Sequence, residues 1–321
     1  MLLTIRNLSV FYNTVVGKFK VIEDMNLDLE EGDIISLVGE SASGKSTLGQ
    51  VLTRMLPGTG SAEGEVIFDG KDVLKISENR MTEIRGTSIF MIFQNPLNSL
   101  NPVKTVGFQL IEAARIRRER DHLSTDEAEM RKEAEESLIS LRLPDADSIM
   151  RRYPHELSGG QVQRVVICMA LLLKPKILIA DEPTTALDVT IQAQVINLLR
   201  TLNKEMKMTI IFITHDIGLA YVLSNNLVVL YSGRIMESGN TESIIKKPLH
   251  PYTSGLIGSI PNSSKTSGKL FSIKGSPPSY LSLPDGCKFS NRCQFVFERC
   301  MHEEPKLLDV QDKKVKCWLY E

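Results

Sequence analysis

The chain has 321 residues, 38 Lys and Arg against 39 Asp and Glu, a formal net charge of -1, and 42% apolar residues. That balance excludes a general polyanion binder, whose affinity comes from clustered basic side chains. The longest unbroken apolar run, residues 165–173, is about half of what a membrane span needs. Residues 1–6 lack the basic segment of a secretory signal, so the chain is expected in the cytosol.

Taken in order, residues 2–6 have strand character, and the apolar run 34–38, bounded by Gly32 and Gly39, reads as a buried parallel strand. A helix-length pattern follows at 47–55, and a further strand at 64–68 closes on the turn Asp69-Gly70. Segments 88–93, 177–180, 209–213 and 227–230 repeat the apolar strand pattern, with a helix expected over 189–206. This alternation predicts an α/β fold with a mostly parallel sheet. Residues 103–152 interrupt it with a strand-free stretch dense in Arg, Glu, Ala and Leu, in which Ser124-x-x-Glu127 reads as a capping box opening a helix to about Leu141. The charge run 115–121 is the solvated face of a helix. A short helix is expected at 242–247, before Pro248, and a Ser/Gly/Pro/Lys-rich linker at 259–284. No internal repeat stands out.

The chemistry begins at Gly39-Glu40-Ser41-Ala42-Ser43-Gly44-Lys45-Ser46, which fits G-x-x-x-x-G-K-[ST] between a strand and a helix. Such glycines let backbone amides turn inward around phosphate oxygens at a helix N-terminus. Lys45 would place a cation on the β/γ-phosphates, and Ser46 would offer its hydroxyl to Mg²⁺. A second strand ends in Asp181-Glu182, one acid for Mg²⁺ and the next to accept the proton of an attacking water. Gln94 and His215 each follow a strand of the expected parallel sheet, where ligands bind in such folds. Leu157-Ser158-Gly159-Gly160-Gln161 opens the helix through Leu173, with Ser158 as N-cap.

Together these residues resemble an ABC-type ATP-binding subunit over residues 1 to about 245. The Walker A loop falls at 39–46, the Q-loop at Gln94, LSGGQ at 157–161, Walker B at 177–182, the D-loop at Ala186-Leu187-Asp188, and the switch histidine at His215. The resemblance implies a P-loop ATPase core with an antiparallel β subdomain and a helical subdomain at about 103–160. It also implies head-to-tail pairing with a second ATPase subunit. Gly39, Ser41, Ser43, Gly44, Lys45, Ser46 and Thr47 of one subunit would then face Ser158, Gly160 and Gln161 of the other, and Asp188 would couple the two sites. Glu182, His215 and Gln94 are the implied catalytic residues, and Ser46, Gln94 and Asp181 the implied Mg²⁺ residues. Tyr12 resembles the aromatic residue that stacks on adenine, with Phe11 and Phe19 as rivals.

Residues 93–102, Phe-Gln-Asn-Pro-Leu-Asn-Ser-Leu-Asn-Pro, narrow the resemblance to the peptide/nickel importer group, as do His250-Pro251-Tyr252-Thr253 and Gly286-Cys287. The implied partners are a paralogous ATPase subunit, two transmembrane permeases docking near 95–102, and an extracytoplasmic binding protein, with no nucleic acid. The implied place is the cytoplasmic face of the membrane. Nickel or oligosaccharide cargo, a soluble ABC ATPase acting in DNA repair or translation, and a nucleotide-binding regulator are the alternatives.

The remaining feature is cysteine. Cys168 sits in the apolar run and is expected in the core. Cys287, Cys293, Cys300 and Cys317 follow C-x5-C-x6-C-x16-C in the extension 246–321, and a cytosolic chain uses such thiols for metal more readily than for disulfides. The family resemblance implies a [4Fe–4S] cluster, with zinc or free thiols as alternatives and His302 as an extra candidate ligand.

Overall fold

Residues 2–6 are only the start of a much longer strand, Leu3–Thr14, which pairs antiparallel with Gly17–Leu29 and with Gly60–Phe68. The irregularity between Ile5 and Leu8, where Asn7 takes a left-handed φ of 50°, shifts the alternation so that Leu3, Ile5, Leu8 and Val10 are all buried. The structure, a computed structural model, describes residues 1–185, 187–259 and 272–321. These fall into two units, Met1–Ile76 with Phe212–Glu321, and Ser77–Ile211.

In the first unit the antiparallel sheet just described is completed by Lys71–Asp72. A second sheet holds Ile34–Val38, buried at every residue, parallel to Asn226–Tyr231. Asn226–Tyr231 turns through Ser232-Gly233, both at positive φ, into the antiparallel strand Arg234–Asn240. Beyond it lie Lys313–Val315 and Leu308–Val310, so the extension adds two strands to this sheet. The extension also shares a core with it: Tyr252, Phe289, Cys287, Cys300 and Trp318 pack with Val38, Val229, Tyr231 and Met236. Tyr231 meets Tyr252 and Phe289 edge-on, with ring centroids 4.7 and 5.3 Å apart. The expected helices appear at Lys45–Leu52 and Thr241–Lys246.

In the second unit Ile89–Ile92 runs parallel to Ile177–Asp181. The expected helical insert forms as Val106–Arg120, Glu127–Ser140 and Ala146–Arg151, packed with Gly159–Leu173 around Leu110, Ala114, Met130, Ala134, Leu138, Val162 and Val166. One detail is corrected. Asp126, not Ser124, caps the second of these helices by accepting from the Glu129 amide, while Ser124, two residues earlier, accepts from the Asp126 amide. Cys168 is fully buried, and burial raises its thiol pKa, as expected of a core residue. No helix among the described residues is long and apolar enough to cross a membrane. Ala186 and residues 260–271 of the expected linker lie outside the described residues.

Candidate functional site

Each unit carries its own share of the predicted residues. In the first, the strand Ile34–Val38 delivers the chain into the loop 39–46, and the helix Lys45–Leu52 starts from Gly44, whose φ of 97° suits only glycine without strain. Gly39 is needed for a different reason: a Cβ there would stand 2.2 Å from the Leu230 carbonyl oxygen. Lys45 is buried and folds back over the loop, its Nζ donating to the carbonyls of Gly39 and Glu40 at 2.8 Å each and to Ser43 Oγ at 3.2 Å. The ammonium is therefore held where a phosphate oxygen can exchange with carbonyl acceptors. Ser41 and Ala42 are exposed, and Ser46 and Thr47 are half-buried on the first helical turn.

Tyr12 stands half-buried, its hydroxyl donating to Gln50 Oε1 on that helix at 3.4 Å. Phe19 stacks on it with ring centroids 6.1 Å apart, whereas the Phe11 face is already covered by the Lys18 ammonium at 4.1 Å. Phe19 stacks on Tyr280 as well, at 6.0 Å, so the aromatic platform consists of Tyr12, Phe19 and Tyr280 and leaves Phe11 out. His215 is exposed directly after Thr209–Thr214, and Asp216 caps the next helix, Ile217–Leu223.

In the second unit Asp181 is buried at the end of Ile177–Asp181. Glu182 follows at a left-handed φ of 48°, a position a non-glycine residue adopts only when its surroundings hold it there. Two donors meet one carboxylate oxygen, Gln94 Nε2 at 3.2 Å and Thr185 Oγ1 at 3.0 Å, and Gln163 Nε2 donates to the Glu182 carbonyl at 3.5 Å. Gln94 and Glu182, 88 positions apart, are thereby brought together. Thr185 and Gln163 belong to no motif that the sequence offered, although Gln163 is the second residue after LSGGQ. Ser158 caps Gly159–Leu173 in a reciprocal box: its Oγ accepts from the Gln161 amide and Gln161 Oε1 accepts from the Ser158 amide. Ser158 and Gly159 are exposed, and no atom lies within 4 Å of where a Gly159 Cβ would sit. Asp188 caps Val189–Met206, accepting from Thr190 and Ile191 at 3.0 Å each.

In the extension, Cys287, Cys293, Cys300 and Cys317 line one small cavity together with His250, Phe289 and Trp318. Burial pushes the Cys287 thiol up to about 12 and raises those of Cys293 and Cys317, with the neighbouring thiols adding to the effect. Gly286 lets this wall close: a Cβ there would stand 2.3 Å from the Cys300 carbonyl oxygen, and the Cys287 amide donates to that same oxygen. The Phe295 amide donates to Cys293 Sγ at 3.4 Å. His302 is outside the cavity, exposed beside Glu298. Among the described residues no group of three or more His, Cys, Asp or Glu is arranged to hold a metal ion.

Residues 22–185 match the model of the ABC transporter family. The chain belongs to that family. Residues 236–300 match the oligopeptide/dipeptide transporter C-terminal region. The oligopeptide transport ATP-binding protein OppD of Haemophilus influenzae is 43% identical over 99% of this chain and 97% of its own length. The dipeptide transport ATP-binding protein DppD of Bacillus subtilis is 39% identical over 99% of this chain and 94% of its own. The ATP-binding cassette MJ0796, solved as a dimer in a post-hydrolysis state with ADP and Pi, matches with a TM-score of 0.66 and 29% identity over 74% of this chain and 98% of its own. As an ABC cassette, this chain is an ATPase, with mixed and antiparallel sheets and a helical subdomain.

Proposed function

We propose that this chain binds and hydrolyses ATP to power an importer of di- and oligopeptides from the cytoplasmic face of the membrane. The observation that carries this reading is the union, on one chain, of the ABC cassette with an extension of the oligopeptide/dipeptide transporter type. Near-full-length similarity to peptide transport ATP-binding proteins supports it. The amides of 39–46 and Lys45 would hold the phosphates, Tyr12 the adenine, and Ser46, Gln94 and Asp181 are the residues assigned to Mg²⁺. Glu182 would take a proton from the attacking water, Gln94 would orient it, and His215 would steady the γ-phosphate. The exposed Ser158 and the half-buried Gly160 would face the ATP of a second, paralogous ATPase subunit, with Asp188 coupling the two sites. The domain division at 245 and the helical subdomain at 103–160 remain part of the same reading.

Exposed Leu97 and Val103 at the start of the helical insert would offer apolar surface to two transmembrane permeases, which would receive peptide from an extracytoplasmic binding protein. The test is co-purification of the tagged chain from membranes. Two polytopic subunits and ATP-dependent uptake of labelled oligopeptide into proteoliposomes are expected. Recovery with DNA or ribosomes and no membrane subunit would refute the importer reading.

For the four cysteines we propose a [4Fe–4S] cluster. The four cysteines line one cavity, and each thiolate would bind a different iron of the cube. The Phe295 amide directed at Cys293 Sγ is the kind of hydrogen bond that stabilises a ligating sulfur. Anaerobic purification is expected to give a brown protein with a broad absorbance near ~400 nm and about four irons per chain. A colourless protein with stoichiometric zinc would overturn the cluster.

A further inference from the structure

The extension does more than share a core with the cassette. It grips the loop 39–46 at two residues that the motif leaves unspecified. The Arg292 guanidinium, its side chain only 4% exposed, holds both carboxylate oxygens of Glu40, at 2.5 and 2.9 Å. Its other hydrogens go to the carbonyls of Lys274 and Gly275 and to the Tyr231 hydroxyl. The fork is thus fully used and fixed in orientation. The Glu40 amide donates to the Tyr252 hydroxyl at 2.9 Å, so the residue is fastened at backbone and side chain alike. Two residues on, the Tyr280 hydroxyl donates to the Ala42 carbonyl at 2.7 Å. Ala42 sits at a φ of 61°, where a non-glycine residue is strained and its peptide orientation needs support. The Tyr280 ring also stacks on Phe19 at 6.0 Å, and Phe19 stacks on Tyr12.

We propose that Tyr280 and Arg292 are positioning residues of the ATP site, which hold the peptide planes of Glu40 and Ala42 so that the loop is shaped for phosphate before nucleotide arrives. Amides that point at an anion raise affinity to the extent that their orientation costs nothing at binding. Alone, a loop with two exposed residues and one strained φ would have to be ordered by the nucleotide itself. With the two clamps, that ordering is part of folding. On this view the extension completes the nucleotide site in cis, and the two ends of the site, phosphate loop and aromatic platform, are joined through one tyrosine. The inference rests on the reading of 39–46 as the ATP loop.

The test uses the full chain and titration with mant-ATP. Tyr280→Phe keeps the ring and removes only the hydroxyl. It is expected to weaken mant-ATP binding about three- to tenfold, the size of one lost hydrogen bond, with only a small fall in the melting temperature of the nucleotide-free protein. Glu40→Gln and Arg292→Lys, which loosen the fork without emptying the space, are expected to act in the same direction. A purely structural role would lower the melting temperature and leave the affinity of the folded protein unchanged, so the affinity decides. Lys45→Ala runs beside them. If Lys45→Ala loses binding while Tyr280→Phe and Glu40→Gln bind within twofold of the parent, this inference is overturned and the loop reading stands. If Lys45→Ala binds like the parent, the loop reading fails and takes this inference with it.

Discussion

Replacing Glu182 by Gln is expected to leave ATP binding intact and lower hydrolysis by about two to four orders of magnitude, the range contributed by a positioned general base. The amide has the shape of the carboxylate and can still meet Gln94 and Thr185, which now stand 3.2 and 3.0 Å from one of its oxygens. The left-handed backbone at Glu182, set by the chain around it, has no reason to change. What is lost is the ability to accept a proton. On the proposed pairing, with closure driven by ATP and reopening by hydrolysis, the variant should accumulate as a closed pair of subunits with ATP retained. Single-turnover hydrolysis and size-exclusion chromatography with ATP check both halves. Turnover at the parent rate would remove Glu182 from the role of base, whatever the dimer does. Thr185→Val is the useful companion, since it removes a donor and not the acid: a much smaller loss there separates orientation of the carboxylate from its proton chemistry.

The cassette was legible in the sequence because its chemistry is local. Loop 39–46, LSGGQ and Asp181-Glu182 are contiguous, and each lies beside the strand or helix that its residues form. Ser158 capping its helix follows from the same short-range rules. The longer strands were legible only in part. Gly17–Leu29 mixes buried apolar residues with exposed Lys18, Asp24 and Asp28, and its shifted register against Leu3–Thr14 breaks the simple period of two that would reveal it. Arg234–Asn240 hides for another reason. It buries Arg234 and Glu237, polar residues that carry no strand signal. Arg234 is paired with Glu23 and Glu304, and Glu237 accepts from the amides of Leu249 and His250. The clamp on the loop was illegible altogether, since Arg292 and Glu40 are 252 positions apart and Tyr280 and Ala42 are 238. Nothing in an Arg or Tyr beside a linker says which distant peptide it will hold. The packing of the extension was not legible either, because the aromatic residues that build it are spread over 252–318 with no period that marks a core. Tyr252, Phe289 and Trp318 build on Tyr231, so the cysteine cavity is walled by aromatic rings before any metal is considered.

The second large effect is expected at Lys45. Its ammonium is buried, spans the loop, and is the cationic side chain that the motif aims at the terminal phosphates. Lys45→Ala removes charge-assisted hydrogen bonds to phosphate in a partly dehydrated site, each of which contributes about 1.5–3 kcal/mol. That corresponds to a loss of about ten- to 150-fold in ATP affinity. The loop itself should survive, because its shape is held by Gly39 against Leu230, by Gly44 at its left-handed φ, and by the contacts to Glu40 and Ala42. The carbonyls of Gly39 and Glu40, stripped of their donor, can turn to water. The nucleotide-free protein should therefore melt close to the parent, while the rise in melting temperature that saturating ATP gives the parent should largely vanish, since that rise scales with the ratio of ligand concentration to Kd. Lys45→Arg should not restore it. A guanidinium is planar and broader than an ammonium, and the buried position between the Gly39 and Glu40 carbonyls and Ser43 is shaped for a compact charge with three donors. Calorimetric titration with ATP and Mg²⁺ separates the cases. Equal affinity in parent and alanine variant would mean that the ammonium serves only to close the loop on itself, and the phosphate contact would have to be assigned elsewhere.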